Sequence, residues 1–256
     1  MNKELSVAER LIVAADFSPT ETGINGVIDS VFKMAADLEG TGVYIKVNSV
    51  LRLVGFNLIV ELQKLNLKVL ADLKLIDIPN TMETDAKLLK YFQPDMLTIM
   101  CCAGIDGMSA VQKILGDKTE ILGVTILTSI NEDECQAIFT CSTKAGVLRF
   151  ARMAQLAGLG GLILSPQEAD LISKRKELML SLNTPGIRPL WSLVEGDDQS
   201  RVLTPAQAIK NGAQRIVIGR PILQAKSNDK GLPQSPREAV ERTLEEIQQG
   251  LEERSK

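Results

Sequence analysis

The run Leu70-Ala71-Asp72-Leu73-Lys74-Leu75-Ile76-Asp77 sets three ionisable side chains into an apolar stretch. In an extended strand, residues two apart point to the same face, so Asp72 and Lys74 are expected to project together. Charges withdrawn from water are costly unless they are paired. Lys74 has one carboxylate two residues before it and another, Asp77, three residues after it, where the strand should give way to a loop. Lys46, inside the apolar run Val43-Tyr44-Ile45-Lys46-Val47, is a second cation with the same need. Together these residues predict an alternating array of Lys46, Asp72, Lys74 and Asp77. A lysine flanked by carboxylates keeps its proton, and a protonated lysine held away from water is a proton donor. One buried Asp–Lys pair is more often structural; four such groups in one place point to chemistry.

The 256 residues include no histidine. That excludes Ser-His-Asp and Cys-His nucleophile systems, histidine-ligated zinc and a histidine general base. Acid–base chemistry has to come from Lys, Asp, Glu, Cys or Tyr. With 29 Lys+Arg against 32 Asp+Glu and a net charge of −3, no basic footprint supports a nucleic-acid partner. Cys101 and Cys102 are adjacent and Cys135 and Cys141 six apart, neither of them a C-x-x-C metal or redox spacing. They are expected to be small buried thiols in a reducing compartment. The N-terminus is polar, with Glu4 and Glu9, unlike a signal peptide. No apolar run approaches the roughly 18 residues of a membrane span. A cytoplasmic protein that makes no membrane contact is expected.

Chemistry of this kind needs elements to position it. Short, nearly continuous apolar runs occur at 11–15, 43–47, 69–73, 96–100, 121–127, 161–164, 184–187 and 215–218. They suit strands buried on both faces of a parallel sheet. Helical spacing fills 27–38, 51–65, 82–92, 108–115, 145–156 and 206–211. A last helix is marked by Ser235 as N-cap, Pro236 at its first position and Glu238 completing a capping box. Strand–helix alternation implies right-handed βαβ units, and eight repeats predict an α/β fold, a (β/α)8 TIM barrel in a single domain over residues 1–256. A doubly wound open sheet is the alternative, weakened because no G-x-G-x-x-G follows the first strand. Six of the eight runs carry or lead into a polar residue at their C-terminal end: Asp16, Lys46, Asp72 with Lys74, Thr128, Arg188, and Gly219-Arg220. Active sites of such barrels lie at that end.

The run Asp72-Leu73-Lys74-Leu75-Ile76-Asp77-Ile78-Pro79-Asn80-Thr81 resembles the D-x-K-x-x-D-I-P-N-T signature of the orotidine 5′-monophosphate decarboxylase family. Its D-x-K-x-x-D part is shared by a wider superfamily of phosphate-binding barrels. Further similar stretches follow in the family's order over most of the chain. They are Ala15-Asp16-Phe17, Val124 to Ser129, Thr184 to Pro189, Asp198-Gln199-Ser200-Arg201 and Gly219-Arg220-Pro221-Ile222. The resemblance implies a cofactor-free decarboxylation of orotidine 5′-monophosphate to uridine 5′-monophosphate, the last step of UMP synthesis. It implies that Lys74 protonates C6 of the pyrimidine and that Asp72 faces the substrate carboxylate. Asp16 and Lys46 would bind ribose hydroxyls, and Thr128 would read the pyrimidine ring. Arg188, Gln199, Gly219 and Arg220 would hold the phosphate, with residues 190–201 as a loop that closes over it. Asp77 and Thr81 would reach the partner's ribose across a homodimer interface. The family often has histidine at the position of Ile76 and near Met100; this chain has neither. Two other readings stay open: a metal-dependent sugar-phosphate lyase of the same superfamily, and a nucleotide-binding barrel without catalysis.

Overall fold

The computed structural model describes residues 4–19, 23–192, 203–225 and 231–255. Its strands are β1 (Leu11–Ala14), β2 (Tyr44–Val47), β3 (Lys68–Leu75), β4 (Met96–Met100), β5 (Glu120–Val124), β6 (Gly161–Ile163), β7 (Ser181–Thr184) and β8 (Arg215–Ile218). They succeed one another in chain order around a closed barrel. β1 pairs in parallel with β2 and β8, and β4 to β7 pair in parallel in succession. The helices are α1 (Gly23–Leu38), α2 (Ser49–Val54), α3 (Asn57–Lys64), α4 (Pro79–Leu89), α5 (Gly104–Leu115), α6 (Glu132–Phe139), α7 (Thr143–Leu156), α8 (Pro166–Ser173), α9 (Pro205–Lys210), α10 (Arg220–Leu223) and α11 (Pro236–Arg254). This is the (β/α)8 barrel expected from the alternation of apolar runs. Every residue of β1, β2 and β8 is buried, as strands covered on both faces require.

The chain divides into two compact units. The first comprises Met1–Leu70, Gly186–Lys210 and Arg215–Lys256. In it, β1 pairs with β2 and with β8, and α11 packs on α9. Gly250 lies so near α9 that an added Cβ would stand 2.6 Å from the Ala206 carbonyl oxygen. The second unit comprises Ala71–Pro185 and Asn211–Gln214. There, β4 to β7 pair in succession, and α4 packs on α5.

Several expectations need correction. The seventh strand lies at Ser181–Thr184, not at 184–187. Its polar residues hide it from an apolar-run reading. Asn183 is wholly buried, yet its amide donates to the Leu162 carbonyl at 3.0 Å and to the Ser181 hydroxyl at 3.1 Å. Pro185 and Gly186, the latter at φ +77°, then end the strand. Strand five stops at Val124, and the Thr125 hydroxyl turns to the Ile163 carbonyl. The helical stretch at 51–65 is two helices, because Gly55 at φ +90° breaks it. Helices α6, α8 and α10 have no counterpart among the helical stretches named from the sequence. In α11 the capping box is only half present. The Ser235 hydroxyl accepts the Glu238 N–H, but the Glu238 carboxylate takes the Gln234 N–H instead of that of Ser235. A complete box does form at α6, between Asn131 and Glu134.

Candidate active site

In the second unit, Asp72 lies on β3 with 5 % of its surface exposed. Lys74 Nζ donates to both Asp72 carboxylate oxygens at 2.7 Å. The pairing expected from the i, i+2 spacing is therefore present. The backbone does not reach it as a regular strand would, because Lys74 stands at φ +50°. An L-residue held there in a strand is strained by about 1–3 kcal/mol. A third residue, Thr98 on β4, joins the pair. Its hydroxyl donates to Asp72 Oδ1 at 2.8 Å and accepts the Lys74 backbone N–H at 2.9 Å. Sequence reasoning missed Thr98. The signal available was a lone hydroxyl in the otherwise apolar run Met96-Leu97-Thr98-Ile99-Met100.

Asp77 lies two residues beyond the end of β3 and is exposed, and its Oδ1 accepts the Ile78 N–H at 2.7 Å. Asp85 on α4 has its carboxyl raised, first by burial and then by the charge of Asp77. Thr81 is half-buried in the first turn of α4. Thr128 is exposed, four residues past the end of β5.

In the first unit, Lys46 on β2 is 8 % exposed and is registered beside Ala14 of β1. Its Nζ donates to both oxygens of Asp16 at 2.9 and 2.8 Å. The sequence sets Asp16 at the C-terminal end of the first apolar run; here it is the direct partner of Lys46. Gly219 follows β8 and approaches Ala14, whose Cβ would be 3.6 Å from a Cβ added there. Asp16, Lys46, Gly219 and the exposed Arg220 thus cluster about the C-terminal ends of β1, β2 and β8. Arg188 is half-buried, four residues past β7, and its N–H donates to the Leu203 carbonyl at 3.0 Å. Gln199, with Asp198, Ser200 and Arg201, lies outside the described residues, as does most of the segment 190–201.

The four cysteines are free, but only Cys101 and Cys135 are buried as expected; Cys102 is exposed and Cys141 half-buried, and burial pushes the Cys101 thiol up to about 12. Among the described residues, no group of three or more His, Cys, Asp or Glu is placed to hold a metal ion, and no helix is long and apolar enough to cross a membrane.

A closed parallel barrel that carries a Lys46–Asp16 pair in one unit and a Lys74–Asp72 pair in the other has the architecture on which barrel enzymes build their sites. Comparison with known proteins gives the particular lineage. The model of the orotidine 5′-phosphate decarboxylase / HUMPS family matches residues 9–232, and the chain belongs to that family. It is 41 % identical over 177 residues to the orotidine 5′-phosphate decarboxylase of Streptococcus gordonii, covering 68 % of this chain and 76 % of that one. The Syntrophus aciditrophicus enzyme of the same name is 36 % identical, with 96 % of each chain covered. The crystal structure of orotidine 5′-phosphate decarboxylase from Lactobacillus acidophilus superposes with a TM-score of 0.73 at 28 % identity, covering 93 % of this chain and 99 % of that one. The chain is accordingly an enzyme of the carboxy-lyase class.

Proposed function

We propose that this protein, acting as one barrel domain, converts orotidine 5′-monophosphate to uridine 5′-monophosphate and carbon dioxide without a metal or organic cofactor. The observation that carries the reading is the buried Asp72 carboxylate bound at both oxygens by Lys74, in a chain of this family. The bond from C6 to the carboxylate breaks, carbon dioxide leaves, and the electron pair stays on C6. Lys74 Nζ stabilises that pair and delivers its proton to C6; solvent restores the proton to Lys74. Charge arranged in advance around a developing carbanion is usually the largest catalytic contribution. Asp72 faces the departing carboxylate, and Lys46 and Asp77 extend the alternating charges.

Binding is divided among the other residues. Asp16 and Lys46 take the ribose hydroxyls, and Thr128 reads the pyrimidine ring. Arg188, Arg220, Gly219 and Gln199 take the phosphate, for which the guanidinium fork is suited. Phosphate binding far from C6 supplies energy to organise the reacting end. Asp77 and Thr81 serve the partner's site in a homodimer. The exposed Ile76 and Ile78 on either side of Asp77 fit such a contact. A cytoplasmic place of action goes with this reading.

An ultraviolet assay of purified protein with orotidine 5′-monophosphate, with and without a chelator, tests it. Turnover insensitive to chelator is expected, and Lys74→Ala should lose at least about 1000-fold in kcat while still binding uridine 5′-monophosphate. Turnover abolished by chelator would favour a metal-assisted lyase. Nucleotide binding without turnover would favour a non-catalytic barrel.

A further inference from the structure

Lys74, Asp72 and Thr98 form a closed ring of hydrogen bonds. The Lys74 N–H donates to the Thr98 hydroxyl, the hydroxyl donates to Asp72, and Lys74 Nζ donates to the same carboxylate. Thr98 is 1 % exposed, and its single hydroxyl proton and one of its two acceptor lone pairs are committed within the ring. The N–H that the hydroxyl accepts belongs to a residue at φ +50°. A conformation of that kind persists only where its surroundings over-determine it.

We propose that Thr98 is a positioning residue for the reaction, holding the Lys74 backbone and the Asp72 carboxylate in one frame so that Nζ alone is left to move. The inference rests on the decarboxylase reading above. A salt bridge by itself would orient Asp72 only while Lys74 is charged. When Nζ gives its proton to C6, Asp72 loses its cationic donor at the moment when its place matters most. The hydroxyl remains, and it ties the carboxylate to the lysine's main chain. A donor displaced by about 1 Å can lower the rate about 100-fold.

Three variants separate the hydroxyl from the methyl group. Thr98→Val keeps the shape and removes both hydrogen bonds; Thr98→Ala removes them with a smaller side chain; Thr98→Ser restores the hydroxyl. For folded Thr98→Val, kcat is expected to fall about 10- to 100-fold, with KM for orotidine 5′-monophosphate and binding of uridine 5′-monophosphate within about two-fold of the parent. Thr98→Ser should recover most of kcat. Unchanged kcat in Thr98→Val and Thr98→Ala would overturn the proposal. So would equal losses in the valine and serine variants, which would make the methyl contact responsible. Failure of both Thr98→Val and Thr98→Ala to fold would make the hydroxyl a folding requirement and overturn it too. A parent protein with no turnover would instead sink the functional reading. A crystal structure of Thr98→Val would then decide the positioning claim, with Lys74 expected to leave the positive-φ region.

Discussion

Glu246 shows how a single buried residue sets a pH dependence. It lies on α11, 8 % exposed, and its Oε1 accepts the Leu190 N–H at 3.0 Å. Its Oε2 is buried without a hydrogen-bond partner among the described residues. Burial raises its carboxyl to about 7, opposed by the hydrogen bond from the Leu190 N–H. An acid whose folded pKa is raised favours folding while it stays protonated. Its contribution is complete below the ordinary 4.5 and is lost as pH rises through about 7. Thermal stability of the parent should therefore fall between pH 5 and pH 8 more steeply than that of Glu246→Gln, which keeps an acceptor for Leu190. Trp191, the chain's one tryptophan, adjoins Leu190, so its fluorescence should show a transition near neutral pH that Glu246→Gln abolishes. Identical profiles in both proteins would refute this. Glu9 has the opposite sign. Its hydrogen bond with Lys68 lowers its carboxyl to about 2, so its contribution is present above 4.5 and disappears only as pH falls through about 2.

The helices are positioned by contacts that leave no room for error. On α11, a Cβ added at Gly250 would stand 2.6 Å from the Ala206 carbonyl oxygen and 2.8 Å from the Ala206 Cα. Both are main-chain atoms, so α11 itself would have to move away from α9. Overpacking of this kind costs about 1–3 kcal/mol. In a domain of this size Gly250→Ala should lower Tm by roughly 5 °C in differential scanning calorimetry. The chemistry-bearing elements were the easier ones to read. Asp72 and Lys74 of β3 stand out because an apolar strand tolerates a charge only where another group answers it. Thr98 did not stand out, since a threonine in a strand is unremarkable until a neighbouring strand brings a carboxylate to its hydroxyl. Apolar runs set β7 too far along the chain because Ser181 and Asn183 satisfy each other and the Leu162 carbonyl inside the fold, and that compensation is invisible along the chain.

At the scale of the whole molecule, the proposed homodimer makes a prediction about exposed apolar residues. Ile76 and Ile78 expose 57 and 66 % of their surface, and Leu88 and Tyr91, at and just beyond the end of α4, expose 52 and 84 %. The proposed homodimer would cover them. Paired substitutions Ile76→Glu and Ile78→Glu should convert a dimer to a monomer in sedimentation velocity. They should also cut kcat/KM sharply, because Asp77 and Thr81 would no longer reach a second site. A parent protein that sediments as a monomer would refute the assembly.

Periodicity and punctuation along the chain were enough to point to a repeated alternation of buried strands and amphipathic helices, though not to place β7 or to mark α6, α8 and α10. The pairing demand of charges in apolar strands was enough to mark Asp72, Lys74 and Lys46. Both are local consequences of burial, written into neighbouring residues. Within β3 the spacing itself names Asp72 as the partner of Lys74; where the answering group lies on another segment, only the tertiary structure decides it. Lys46 meets Asp16 from thirty residues away, and Lys74 takes up a left-handed backbone held by Thr98 twenty-four residues on. A hydrogen bond depends on ångström distances in space, and a one-dimensional spacing carries no record of which strand lies alongside.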